Sequence, residues 1–281
     1  MRFLSAKAML DLLRDKEGES GTGDYRLLDG YDSLVNHLAT DLDIHLEDPV
    51  VSVDYSQDTV SVQTLGGNLY RADNLVIAVP LGVLQANSIR FIPDLPKGKE
   101  AALKGLRMGP VIKMIYGFDK PLTDENIMAL YSSKTPPMWW SPSFGQDTSE
   151  TIWTAFVSGG YAVDLLAMGE EAALEAGLKT LAQELGFRSL QANKQKLVNW
   201  PHDPYTKGGY SYVLPGHDGA REMLAAATPP LYWAGEATEP EHRAATVHGA
   251  YLSGLRVAKE IVATHPLNEK ATPHQREQFG C

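Results

Sequence analysis

The chain has 281 residues and a mass of 30.7 kDa, enough for one large domain or two intertwined ones whose core needs no disulfide staples. Hydrophobic residues make up 43% and charged residues 21%, a balance that excludes wholesale disorder. A net charge of −10 and a pI near 5.3 disfavour nucleic acid or an anionic membrane as partner, and a lone cysteine, Cys281, excludes disulfide scaffolds and cysteine-ligated structural zinc.

In chain order, Leu4, Ala8, Leu12 and Leu13 fall at helical spacing. Lys7 interrupts that apolar stretch, so it makes a poor signal peptide, and no run approaches the roughly 20 apolar residues of a membrane helix. A soluble protein of a reducing, cytoplasmic compartment is the expectation. Leu34, Val35 and Leu38 predict a second amphipathic helix. From Ile44 the period changes to two: Val50–Val53, Val60–Val62 and Leu75–Val79 read as strands, with Gly66-Gly67-Asn68 as a hairpin turn. The run Leu75–Val79 is continuously apolar, as in a strand covered on both faces.

Further on, strands are expected at Val111–Phe118 and Thr151–Val157, a stiff aromatic loop at Pro136–Trp140, and a helix at Glu170–Leu185. After Trp200 come a Gly-rich turn, a strand at Tyr210–Leu214, a buried strand at Leu231–Ala234, a long helix from Thr246 to Ala263 and a polar tail. The interleaving predicts an α/β (α+β) chain of two subdomains, one built from discontinuous segments and the other inserted between them.

The stretch Leu231-Tyr232-Trp233-Ala234-Gly235-Glu236, followed by Thr246-Val247-His248-Gly249-Ala250, carries the first chemical signal. A buried strand ends in glycine, an acid follows, and a loop delivers the chain to a helix start. Unpaired N–H groups and a positive dipole end there can hold an anionic oxygen. A plain strand, loop and capped helix fits the same pattern. Lys113 lies in Pro110-Val111-Ile112-Lys113-Met114-Ile115-Tyr116, apolar on both faces, so it sits either at an edge, reaching outward, or buried. The histidines show no metal spacing, and Gly-x-Ser-x-Gly is absent.

Four collinear blocks carry a resemblance: Leu28-Asp29-Gly30-Tyr31-Asp32-Ser33-Leu34; Ala78-Val79-Pro80-Leu81-Gly82-Val83-Leu84; Trp200-Pro201-His202-Asp203-Pro204-Tyr205 with Gly208-Gly209-Tyr210-Ser211-Tyr212; and Ala234-Gly235-Glu236-Ala237-Thr238 with Ala245 through Gly254. Together they resemble the flavin-containing amine oxidases, in the branch of the polyamine oxidases and the lysine-specific histone demethylases, from about Leu27 to Ile261.

The resemblance implies FAD, with its isoalloxazine ring against the start of the last helix. It assigns Gly235 and Glu236 to the cofactor turn, with Glu236 on the ribityl–phosphate portion. It sets the Val247 N–H and Thr246 at the flavin edge, and Val50 beside the adenine, where an ordinary strand valine is the plain alternative. Lys113 matches a lysine held through water near the reactive flavin nitrogen, as the residue that handles oxygen or water. Tyr210 and Thr246 match a cage flanking the substrate amine, and Trp200 matches a tryptophan lining the site, although a core aromatic fits as well. Monoamine oxidases attach flavin through a cysteine near position 210; tyrosine stands here, so the FAD is expected to be non-covalent.

The resemblance also implies the organisation: residues 1–26 a helix and loop of the substrate subdomain, 27–85 and 206–264 FAD-binding, 86–205 the substrate subdomain, 265–281 a flexible tail. The family's opening Gly-x-Gly-x-x-Gly turn has no match; Gly21-Thr22-Gly23 lacks the third glycine, where Arg26 stands, so the Rossmann βαβ unit is expected to be absent. Three readings follow. The chain is a fragment of a full oxidase, one subunit of a split oxidase whose second chain supplies the nucleotide-binding unit, or a non-catalytic remnant used as an interaction module. The implied reaction is oxidative deamination of a polyamine-like or other primary or secondary amine to imine or aldehyde and hydrogen peroxide. An amino-acid oxidase, with Arg243 clamping a carboxylate, stays open.

Overall fold

The computed structural model describes residues 27, 30–123, 127–239 and 243–264. The expected helix around residues 4–17, Gly21–Gly23 and the tail 265–281 lie outside them. The chain divides into two compact units, one of residues 1–78, 87–105 and 213–281, the other of residues 79–86 and 106–212. Residues 79–85, 87–105 and 206–212 therefore group differently from the subdomain boundaries the family resemblance implies.

The first unit contains a four-stranded sheet in the order Leu69–Ala72, Val60–Thr64, Val50–Asp54, Arg90–Ile92. Its first three strands form an antiparallel meander, and Arg90–Ile92 adds in parallel beside Val50–Asp54. The Gly66-Gly67 turn closes the meander, with the Thr64 N–H donating to the Asn68 carbonyl. A second ladder of the unit pairs Leu75–Ile77 in parallel with Leu231–Trp233. Leu231, Tyr232 and Trp233 are fully buried, and Tyr232 and Ala234 pack against Val257 and Ile261 of the long helix Val247–Thr264.

One expectation fails in this unit. The expected coverage of Leu75–Val79 on both faces is not met: the strand stops at Ile77, and Val76 on one face is 42% exposed while Ile77 on the other is buried. The helix Asp32–Leu38 forms, but none of its residues is buried, so its apolar side faces outward. Two helices of this unit, Lys97–Gly105 and Ala220–Ala225, went unpredicted. Lys97–Gly105 buries Lys99, Ala102 and Gly105 at three-residue spacing.

The second unit is a five-stranded antiparallel sheet in the order Lys194–Asn199, Val111–Phe118, Thr151–Ser158, Met138–Trp140, Ala129–Tyr131. Alternation along Val111–Phe118 puts Ile112, Met114, Tyr116 and Phe118 on one face. Trp139, Trp153, Ala155 and Val157 join them, and the helix Glu170–Glu184 covers this face with Ala173, Leu174 and Leu181. The buried Tyr116 hydroxyl donates to the Leu174 carbonyl at 2.8 Å, which removes its desolvation penalty. The aromatic loop expected at Pro136–Trp140 is instead a strand from Met138 onward. Pro136 and Pro137 lie just outside the ladder, where the missing N–H costs nothing.

Candidate flavin site

In the first unit the turn after the buried strand is held from two sides. Gly235 sits at φ +103°, a conformation that favours glycine, and its N–H donates to Ser253 Oγ at 2.8 Å. Ser253 is fully buried and donates in turn to the Ala250 carbonyl at 2.6 Å. The side chain of Glu236 bends back: Oε2 accepts the Ala245 N–H at 2.9 Å, just ahead of the long helix. Gly235, Glu236, Thr246 and Val247 are thus one connected turn-and-helix-start. Val50 opens a strand of the other sheet of this unit and is half-buried.

Thr246 is the N-cap of the long helix. Its hydroxyl accepts the Gly249 N–H at 3.1 Å and donates to the Arg243 carbonyl at 2.5 Å. That commits the oxygen to the backbone and leaves the methyl as the group Thr246 can offer to a ligand. Val247 is exposed, and the N–H groups of Val247 and His248 have no partner among the described residues. They stand at the positive end of an 18-residue helix, where an anionic oxygen is stabilised. Gly249 lies so close to the Arg243 carbonyl that a Cβ would overlap it.

In the second unit Lys113 lies on the sheet face opposite the core, paired in register with Phe156 on one side and Val198 on the other. It is half-buried, and its ammonium stands 5.6 Å from the Trp140 ring, within cation–π range. Of the two alternatives left by the sequence, the strand is central rather than an edge, and the side chain is only partly covered. The short 3-10 helix Trp200–His202 follows the neighbouring strand, and Asp203 ties it down by accepting the Tyr205 and Thr206 N–H groups at 2.9 and 2.8 Å. Trp200 is half-buried rather than a core residue. The Tyr210 carbonyl accepts the N–H of Gly109, two residues before the strand that bears Lys113, at 2.8 Å, and Tyr210 is half-buried.

Sequence reasoning passed over three residues here. Arg221 reaches the Glu236 turn, with its guanidinium 4.0 Å from Glu236 Oε2. Burial pulls its pKa down, and Glu236 opposes that shift. Arg256 donates to the Trp233 carbonyl at 2.7 Å, to Thr238 Oγ1 at 3.2 Å and to Glu260 at 2.8 Å. Ser253 is legible in retrospect: Gly249, Ser253 and Val257 fall four residues apart on the buried stripe of the helix. Neither arginine had a comparable sequence signal, since each bonds backbone carbonyls.

The donor set of the first unit fits a flavin in part. A glycine turn that permits close approach, a carboxylate for ribityl hydroxyls, and two unpaired N–H groups at a helix start match its ring and ribityl portions. Among the described residues there is no Gly-rich strand-to-helix turn for the pyrophosphate, and no cluster of His, Cys, Asp or Glu that would hold a metal. No helix there is long and apolar enough to cross a membrane.

Comparison with known proteins agrees. A family model described as flavin containing amine oxidoreductase matches residues 2–262. Lysine-specific histone demethylase 1B of Mus musculus is 30% identical over 251 residues, covering 86% of this chain and 30% of that protein. Polyamine oxidase 3 of Oryza sativa subsp. japonica is 32% identical over 233 residues, covering 82% and 48%. Among solved structures, a double mutant of a putrescine oxidase matches with a TM-score of 0.76 at 21% identity, covering 85% of this chain and 54% of that one, a likeness of fold. The chain spans about half the length of the oxidases it matches.

Proposed function

The chain belongs to the flavin containing amine oxidoreductase family, and on that premise we propose that it acts in the FAD-dependent oxidation of an aliphatic amine of the di- or polyamine type. In the reaction, the carbon beside the amine nitrogen loses two electrons and a proton, the nitrogen loses a second proton, and water hydrolyses the resulting imine to aldehyde and free amine or ammonia. The two electrons and two protons leave on dioxygen as hydrogen peroxide. Non-covalent FAD supplies the two-electron acceptor.

The chain's own residues orient and stabilise. The helix start at Val247 and His248 offers its N–H groups to negative charge that develops on the ligand. Glu236 and Gly235 receive the ribityl portion, and Val50 borders the adenine. The family resemblance assigns Tyr210 and the Thr246 methyl to the amine, Trp200 to the site lining and Lys113 to a water or oxygen. No side chain is needed as general base if the neutral amine is the form oxidised. The acidic balance of the chain, −10, favours a cationic substrate over an amino acid in a cytoplasmic setting.

The observation that carries this reading is the connected turn Gly235–Glu236–Thr246–Val247 ahead of a long helix whose first N–H groups have no partner among the described residues. Support for a separately supplied pyrophosphate-binding segment, in a longer polypeptide or a second chain, comes from the same unit. The strand Leu75–Ile77 has one described partner, Val76 is exposed, and Val247, Tyr251 and Leu255 form an exposed apolar stripe at four-residue spacing.

The test is peroxide release from a panel of monoamines, diamines, polyamines and amino acids, with FAD added. It is run with the chain alone and with a nucleotide-binding segment expressed alongside. Peroxide with di- or polyamines supports the reading; a folded chain, so complemented, that releases none with any amine overturns it.

A further inference from the structure

Three segments distant in sequence meet at the carboxylate of Glu236. Its Oε2 accepts the Ala245 N–H at 2.9 Å, and Ala245 holds φ +65°, a left-handed conformation that costs a residue with a Cβ about 1 kcal/mol or more. Arg221, in the first turn of the helix Ala220–Ala225, reaches the same place. Its Nη1 donates to the carbonyls of Ala237 and Glu236 at 3.3 and 3.5 Å and lies 4.0 Å from Glu236 Oε2. Only 11% of the Arg221 side chain is exposed.

A guanidinium removed from water at this site is expensive unless its partners are in place, and the backbone of that helix would be served as well by an alanine or leucine. What the arginine provides is direction. It grips the turn by two carbonyls and stands beside the acid that in turn grips Ala245. Ala245 immediately precedes the N-cap Thr246, so its conformation sets where the N–H groups of Val247 and His248 point.

We propose that Arg221 is a positioning residue for the flavin-facing helix start, acting through Glu236 to hold Ala245 in its left-handed conformation. The link to flavin rests on the function proposed above; the coupling from Arg221 to Ala245 does not. Neither residue pair is local in sequence, which is why no motif announces it.

The test is amide hydrogen exchange of the purified chain, compared among wild type, Arg221→Met, Glu236→Gln and Arg221→Met with Ala245→Gly. The expected result is exchange at Ala245 and Gly249 faster by roughly tenfold in both single variants, with Tyr232 and Trp233 unchanged. Glycine takes φ +65° without strain, so Ala245→Gly should restore most of the lost protection to Arg221→Met. Unchanged exchange around Ala245, uniform loosening of the whole unit, or failure of the glycine rescue would overturn the proposal. Should Arg221→Met not fold, Glu236→Gln alone decides the Glu236–Ala245 half, and Arg221→Lys, which keeps the charge without the fork, decides the other. An FAD titration of the same variants, with a nucleotide-binding segment supplied, separates the two readings. Faster local exchange with unchanged FAD affinity leaves the coupling standing and removes flavin from that helix start.

Discussion

The Ser253 hydroxyl lies 2.8 Å from the Gly235 N–H, tying the turn after the buried strand to the interior of the long helix. One small polar side chain thereby satisfies a backbone donor in a place water does not reach, and donates its own hydrogen bond to the Ala250 carbonyl. Ser253→Ala removes that acceptor and leaves the Gly235 N–H unpaired. The expected cost is about 1–3 kcal/mol in urea unfolding. A loss within error of zero would mean the turn relaxes and does not depend on the helix.

Two glycines of the same helix should respond oppositely to alanine. Gly249 has no room, because the added Cβ meets the Arg243 carbonyl, so Gly249→Ala should destabilise by about 1–3 kcal/mol. Gly254 has nothing within reach of a Cβ, and Gly254→Ala should stabilise by up to about 1 kcal/mol through helix propensity. Thermal unfolding of the pair checks both. Equal shifts of the same sign would show that the helix start is looser than described.

Thr246 is expected to behave as a cap before it behaves as a substrate contact. Thr246→Val keeps the shape and loses the hydroxyl, and should cost about 0.5–2 kcal/mol, while Thr246→Ser should cost little. Denaturant midpoints of the two variants settle the comparison. Equal stability for both would return Thr246 to a purely ligand-facing role.

Lys99 should make the fold more stable as pH rises. The residue is 2% exposed, and its ammonium donates to the Met223 and Leu224 carbonyls at 3.0 and 2.6 Å and to that of Ala226 and lies 4.7 Å from the Trp233 ring. Burial, with Arg256 adding to it and Glu260 opposing, lowers its pKa from 10.5 to about 7. Between those values the unfolded chain binds the proton that the folded chain has released, so unfolding free energy grows from about pH 7 towards about pH 10. Urea unfolding across that window should show the rise in wild type and a flatter profile in Lys99→Met. The same slope in both would assign the effect to other groups.

Much of the fold was readable from period alone. Val111–Phe118 alternates cleanly because one face packs on the helix Glu170–Glu184, which carries its own helical period. The site's backbone was readable from the resemblance, as a glycine turn, an acid and a helix start. Three features were hidden for physical reasons. Met138–Trp140 follows two prolines that dominate a local reading, although they lie outside the ladder. The helix Lys97–Gly105 buries a lysine, so its apolar stripe is broken at the position that matters most. Arg221 and Arg256 act on carbonyls brought together only by the fold. The run at Leu75–Val79 reads as covered on both faces although Val76 is exposed, because sequence shows that a face is apolar and not what meets it.

The most direct test of the account is the visible spectrum of the purified chain mixed with FAD and a nucleotide-binding segment, recorded anaerobically before and after a diamine. The account predicts a resolved, protein-bound flavin band that bleaches with the amine and returns on admission of oxygen, more slowly in Lys113→Met. A folded chain whose flavin stays free in solution under those conditions would contradict it.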